Sequence, residues 1–299
     1  MITVFGSINM DLIATTARLP KPGETVAGTD FTTAAGGKGA NQALAARCAG
    51  SNVRMVGAVG RDEFAAPALA LLADAGTDLS AVRHVAGPTG TALILVGGDG
   101  ENMITVVAGA NGTIDDGDAG VSLAAMQPGD VLMLQLEVPS AAVERALTDA
   151  KARGVTTILN IAPLTDDAAR LGRMADIVIA NETEFERLAG HDGMGTSERE
   201  QALMQLHKET GQTLIVTLGA DGVIAARNSR IFRTEGLAIE PVDTVGAGDT
   251  FCGYLAASLD QGIAFEQALR RAAVAGSLAC LKPGAQPSIP TADEVERRI

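Results

Sequence analysis

From residue 53 onward, short apolar runs alternate with longer amphipathic ones. The runs at 53–59, 131–136, 156–160, 177–180 and 214–218 are nearly unbroken in apolar character. This is the pattern of parallel strands covered on both faces. Segments 62–75, 139–153, 182–189 and 198–210 carry helical patterning between them. Gly76 and Gly154 stop the first two helices, and Pro67 suits a first helical turn. Two more helices are expected over 247–261 and 264–281, an exposed loop over 193–197, and residues 2–7 form a buried first strand. Such alternation predicts an α/β fold: a Rossmann-like, mostly parallel central sheet with helices on both faces. Ligands of these sheets bind beyond the carboxyl ends of the strands. Glu137, Asn160, Asn181, Glu184 and Gly219 all follow predicted strands and would gather there.

Two regions break the alternation. Segments 11–17, 24–33, 89–96 and 102–107 are rich in Thr and Val and lack helical period, and Gly97-Gly98-Asp99-Gly100 is a turn. They predict a small antiparallel β lid built from about residues 11–34 and 88–108 of a single domain spanning 1–299. Its exposed strand edges suit either a cover over a pocket or a dimer surface.

Composition narrows the function. The net charge of −13 repels nucleic acid and anionic membranes, and the absence of Trp with 3% aromatic residues leaves no base-stacking platform. Cys48, Cys252 and Cys280 show no metal or disulfide spacing, so reduced thiols and a cytoplasmic location are expected. No apolar run would span a bilayer. His84, His191 and His207 have no mutual spacing for metal or triad chemistry and are expected on the surface or in loops.

Candidate chemistry concentrates in three places. Gly246-Ala247-Gly248-Asp249 is a bare-backboned turn entering a helix, where unpaired N–H groups and the helix dipole form an anion site. Asp249 either caps that helix or acts as a general base beside a phosphate. Gly36-Gly37-Lys38-Gly39-Ala40-Asn41-Gln42 also enters a helix, but is no Walker A loop, since no Ser or Thr follows Lys38. Asn9 and Asp11 lie two apart in extended chain, so an amide and a carboxylate face one side, suited either to polyol hydroxyls or to a local turn. No Gly-x-Gly-x-x-Gly occurs, which argues against a nicotinamide-dependent dehydrogenase.

Together, 36–42 and 243–251 resemble the two signatures of the PfkB sugar-kinase family. The resemblance extends along the whole chain through Gly6–Asp11, Ala108–Asn111, Gln135–Glu137, Asn181–Glu184 and Gly284–Ser288, and is strongest to the branch that phosphorylates ribose. It implies an ATP-dependent kinase giving ribose 5-phosphate, with other sugar or nucleoside kinases (deoxyribose, fructose, adenosine) as the alternative. By this resemblance Asn9, Asp11, Gly37, Lys38, Gly39, Ala40, Asn41 and Glu137 hold the sugar. Asp249 is the base, and the N–H groups of Gly246, Ala247 and Gly248 form the anion hole. Asn181, Gly248, Asp249 and Thr217, Leu218, Gly219, Ala220, Asp221 and Gly222 line the nucleotide site. Glu184 orders magnesium through water, while Asp243, Val245, Ala279, Lys282, Gly284 and Ser288 surround a monovalent cation, potassium. Mg2+ with ATP, K+ as activator, and a homodimer through the lid complete the expectation. Ala273 departs from the family's usual residue near the adenine.

Overall fold

Alternate side chains of the first strand enter different apolar layers: Ile2 and Val4 pack on one side of the sheet, Phe5 on the other. Val131 and Met133 against Leu132 and Leu134 repeat the division, as do Ile177 and Ile179 against Val178 and Ala180. This is the period of two of extended chain buried on both faces, which is why these runs carry no polar alternation.

The computed structural model describes residues 1–299. In chain order the elements begin β1 (Ile2–Phe5), β2 (Asn9–Thr16), β3 (Gly28–Gly36), α1 (Lys38–Cys48), β4 (Val53–Val59), α2 (Ala65–Asp74), β5 (Asp78–His84), β6 (Gly90–Val96) and β7 (Asn102–Val107). After a 3-10 turn at Gly109–Thr113 come α3 (Asp116–Ala124), β8 (Val131–Leu134), α4 (Ser140–Arg153), β9 (Thr156–Asn160), α5 (Ala168–Gly172), β10 (Ile177–Asn181), α6 (Glu182–Ala189) and α7 (Thr196–Thr210). The chain closes with β11 (Thr213–Thr217), β12 (Val223–Arg227), β13 (Arg230–Thr234), α8 (Ala247–Asp260), α9 (Phe265–Ala279) and α10 (Ala292–Glu296).

The main sheet has nine strands in the order β13-β12-β11-β10-β9-β8-β1-β4-β5. It is parallel from β5 to β11, and β12 and β13 add an antiparallel edge. The chain leaves β1 toward β4 and β5, then returns to β8 and proceeds the other way. The crevice where this order reverses lies between β1 and β8, the place such sheets bind ligands.

A second sheet, in the order β3-β2-β6-β7, is built from the two β-rich regions. Its outer pairs are antiparallel and its central pair, β2 with β6, is parallel. The first insertion leaves the body at the crevice, since β2 follows β1 directly and β3 runs straight into α1, and the second joins it where Gly90 at the start of β6 pairs with Asn9 at the start of β2.

Some expectations need correction. α1 begins at Lys38 rather than 41, α2 at Ala65 rather than 62, and β3 at Gly28 rather than 24. Helix α7 begins at Thr196, inside the segment expected to be loop. The patterning missed β5, α3, α5, α10 and the β12–β13 hairpin. His207 is buried, not on the surface. Its Nε2 accepts the Ser229 N–H at 2.9 Å, leaving Nδ1 to donate to the Gln212 carbonyl at 2.6 Å. It thereby supports the hairpin turn, where Asn228 and Ser229 both take positive φ.

Candidate active site

Asp249 occupies the first turn of α8, whose N-cap Gly246 adopts a left-handed φ of 77°. An added Cβ at Gly246 would lie 2.8 Å from the Ala285 backbone, so both conformation and space require glycine. The N–H groups of Gly246, Gly248 and Asp249 find no acceptor in the chain. The Ala247 N–H does: it donates to the Thr244 carbonyl at 3.3 Å, closing a turn. The expected anion hole therefore needs correction, with the Asp249 N–H open and Ala247 already engaged.

The Asp249 side chain is 7% exposed and is held among polar groups. Asn41 Nδ2 donates to Oδ2 at 3.0 Å and Gln42 Nε2 donates to Oδ1 at 2.9 Å. Both donors come from the first turns of α1. The helices approach closely because an added Cβ at Gly253, one turn beyond Asp249, would meet Ala45 Cβ at 2.5 Å. Two amide donors, one to each oxygen, fix the orientation of this buried carboxylate.

On the lid side, Asn9 and Asp11 both lie on β2. Asn111 Nδ2 donates to Asn9 Oδ1 at 2.7 Å, which turns the Asn9 NH2 away as a free donor. Asp11 supplies acceptors. Burial first, then the charges of Glu137 and Asp249, push its carboxyl up to about 6. Gly36, paired across the sheet, leaves room for that carboxylate, since an added Cβ would come within 2.4 Å of Asp11 Oδ2. Gly37 and Gly39 bring the start of α1 against the β1–β2 connection: added Cβ atoms would lie 2.7 Å from the Asn9 nitrogen and 2.6 Å from the Ser7 nitrogen. Ala40 is buried, with its N–H on the Ser7 carbonyl at 2.9 Å. Glu137 spans the crevice: its Oε2 accepts Ser7 Oγ at 2.5 Å and the Lys38 N–H at 3.0 Å. It caps α1 from 99 residues away, which leaves Oε1 as the oxygen free to meet a ligand.

Beyond Asp249 lies a cavity of about 140 Å³ lined by Lys38, Asn160, Asn181, Glu184, Thr217, Gly246, Gly248 and Cys252 among others. The charge of Asp249, followed by those of Glu137 and Glu184, holds the Lys38 ammonium above its ordinary range against its burial. Asn181 and Glu184 form a reciprocal cap on α6, each side chain accepting the other's N–H at 2.8 Å. One end of each side chain remains available, and burial pushes the Glu184 carboxyl up. Burial likewise pushes the Cys252 thiol up, so it is an inert wall rather than a nucleophile.

Thr217 lines this cavity, whereas Leu218 and Asp221 line an open groove of about 1340 Å³. Gly219, Ala220 and Gly222 make the turn between, and Leu218 N–H donates to the Gly222 carbonyl at 2.8 Å. Segment 217–222 thus spans from a small polar chamber to a wide groove, the shape an elongated polyanion with a bulky head requires. Ala273 is buried within α9.

Asp243 joins two loops beside α8: its Oδ1 accepts the Val245 N–H at 3.0 Å and its Oδ2 the Gly284 N–H at 2.8 Å. The Ser288 hydroxyl donates to the Ala285 carbonyl at 2.9 Å, and the Ala279 carbonyl meets the Lys282 N–H at 3.5 Å. The Lys282 ammonium points off to Glu294 at 3.5 Å, clear of these loops. The polar groups of these loops are a carboxylate, main-chain carbonyls and a hydroxyl, oxygen donors of the type a hard cation takes.

Gln42, Asn111 and Gln135 belong to the motifs at 36–42, 108–111 and 135–137, which assign them no role of their own. All are buried and all hydrogen-bond around the site. The available signal was their position: polar residues in otherwise apolar or small-residue runs must find buried partners.

Residues 1–292 match the model of the pfkB family of carbohydrate kinases. The chain is 36% identical over 294 residues to the ribokinase of Haemophilus influenzae, covering 98% of this chain and 96% of that one. It is 37% identical over 301 residues to the ribokinase of Bacillus subtilis, covering 100% and 99%. Its structure superposes on that of the Arabidopsis thaliana ribokinase complexed with ribose and ATP with a TM-score of 0.90 at 34% identity, covering 99% and 97% of the two chains. A carboxylate poised at an open helix start, two glycine-rich entries to one crevice and these matches along the full length agree: the chain belongs to the pfkB family of carbohydrate kinases.

Proposed function

We propose that the protein transfers the γ-phosphoryl group of ATP to the 5-hydroxyl of ribose, with Asp249 as general base. The observation that carries this reading is the seat of Asp249. Its carboxylate is oriented by two amides, lines the polar cavity with Lys38, and stands beside the unpaired N–H groups of Gly246 and Gly248. The complex of the Arabidopsis relative with ribose and ATP supports the choice of both substrates.

Phosphoryl transfer asks mainly for positioning and charge neutralisation. The Asn9 amide and the carboxylates of Asp11 and Glu137 offer one donor and several acceptors to the sugar's hydroxyls, with Lys38 and the Asn41 carboxamide oxygen beside them. That oxygen is buried and has no partner in the chain. Asp249 orients the reacting hydroxyl and takes its proton as the oxygen attacks phosphorus, worth about 10²–10⁴-fold. ADP leaves with the electron pair of the broken P–O bond. The helix-start N–H groups and Lys38 stabilise the charge that develops on the phosphoryl oxygens. Asn181 and Glu184 would hold the water shell of Mg2+, which supplies neutralisation of the triphosphate. Asp243, Val245, Ala279, Lys282, Gly284 and Ser288 would hold a monovalent cation that stiffens the turn carrying Asp249. The β2-β3-β6-β7 sheet serves as the lid that excludes water.

The decisive test is a coupled assay of ADP release over ribose, deoxyribose, fructose and adenosine, in potassium and in a large inert cation. Ribose should give the highest kcat/KM, and potassium the higher rate. Preference for adenosine or fructose would move the protein to another branch of its family. Equal rates in both cations would remove the cation from the mechanism.

A further inference from the structure

Three buried amides stand in line behind the proposed base. Gln135, at the end of β8, donates from Nε2 to Gln42 Oε1 at 2.7 Å. Gln42, on α1, donates from Nε2 to Asp249 Oδ1 at 2.9 Å and to Asn160 Oδ1 at 3.2 Å. Asn160 in turn donates to the Ile179 carbonyl at 3.2 Å. Gln42 and Gln135 are fully buried, so neither contacts solvent or a bound sugar directly. The direction of the relay is fixed chemically. An ionised carboxylate only accepts, so the Gln42 NH2 must face Asp249, its oxygen must face Gln135, and Gln135 must present its NH2. The far oxygen of Gln135 lies against Gly6, where an added Cβ would come within 2.0 Å.

We infer that Gln42 is a positioning residue for phosphoryl transfer: supported by Gln135 and anchored on Asn160, it locks the Asp249 carboxylate so that a free lone pair faces the sugar hydroxyl. This rests on the reading of Asp249 as general base. Asn41 holds the other oxygen, so rotation about the carboxylate bond would break both bonds together. The titratable groups facing Asp249 are Lys38 from α1, Asp11 from β2, Glu184 from α6 and Cys252 from α8 itself. None of them bonds Gln42, so its contribution is separable from theirs.

The test is steady-state kinetics of the full chain carrying Gln42→Met, which keeps length and removes both donors. The expected result is a kcat about tenfold lower, the worth of one hydrogen bond to a charged group. The sugar KM should stay unchanged and the acid limb of the kcat–pH profile should move to higher pH. Added to Asp249→Asn, the same substitution should cost nothing further in kcat. A wild-type kcat with an unmoved limb overturns the proposal, and so does an equal further loss on the Asp249→Asn background. Gln135→Met, one bond more remote, should shift kcat and the limb in the same direction by less; it decides the matter if Gln42→Met does not fold, and no shift there also overturns the relay. If Asp249→Asn alone retains wild-type turnover, the base reading itself fails. If it loses turnover while Gln42→Met does not, only the relay fails.

Discussion

Asp249 has two carboxylate oxygens, and each accepts from a different amide of α1. An asparagine there keeps the shape but offers only one acceptor, so one of the two donors must face an NH2. Asp249→Asn should therefore fold with a stability loss of about 1–2 kcal/mol and lose at least about 10² in kcat. Thermal melts with single-turnover assays check both, and near-normal turnover would remove Asp249 from the chemistry. Asp11 makes a different prediction. With its carboxyl pushed up to about 6 by burial and by the neighbouring Glu137 and Asp249 charges, it takes up a proton more readily folded than unfolded. Its folded form is thus favoured at low pH, and that advantage is lost as pH rises from about 4 through about 6, by on the order of 1–3 kcal/mol. At pH 8 Asp11→Asn should melt at a higher temperature than the parent while binding sugar more weakly. In the parent, the sugar KM should rise as pH falls through about 6. A KM flat from pH 5 to 8 would show that the ionised carboxylate does not grip the sugar.

The pairing of α1 with α8 decides whether these side chains meet at all. Gly253 faces Ala45, Ala46 and the Gln42 carbonyl, with no room for a Cβ. Gly253→Val should push the helices apart and break both amide–carboxylate bonds. The expected cost is about 1–3 kcal/mol in stability, with kcat falling further than a comparable loss of stability elsewhere would explain. A variant that unfolds more easily yet keeps its kcat would uncouple the helix contact from the base. This contact was legible only as small residues at helical spacing, whereas the strands between residues 53 and 218 announced themselves as apolar runs. The β12–β13 hairpin did not, because its turn is Asn228-Ser229 rather than Asn-Gly. The positive φ at Ser229 is bought by the His207 contact, made from a distant helix. The site divides in the same way. Glycines, Lys38 and Asp249 stand out locally. Glu137 capping α1 and the Gln135–Gln42 contact join residues more than 90 positions apart, and no local pattern reports such a meeting.

At the level of the whole molecule, the lid sheet is the least covered part. Phe31 is 63% exposed, and Met103, Ile104, Val106 and Val107 are about half exposed. Apolar strands left open to water favour partners, and a second copy of the same sheet offers a matching surface. Ile104→Lys should convert a dimer to a monomer in analytical ultracentrifugation. A parent chain that is already monomeric at micromolar concentration would dismiss the dimer. No helix is long and apolar enough to cross a membrane, and the charge of −13 leaves the general surface repellent to polyanions. In the proposed mechanism the triphosphate is drawn instead by the local field of Lys38 and the α8 start. The amide of Asn111 has one more consequence. It grips Ile8 and Asn9 where β2 leaves the body, and it lies against Gly90 where β6 does. Both strand pairs of the small sheet share this one fulcrum, so a load applied at the far tips arrives as torque on the Asn9 carboxamide, the group proposed to meet the sugar. Tethering those tips should loosen the hold on ribose before it slows the chemistry.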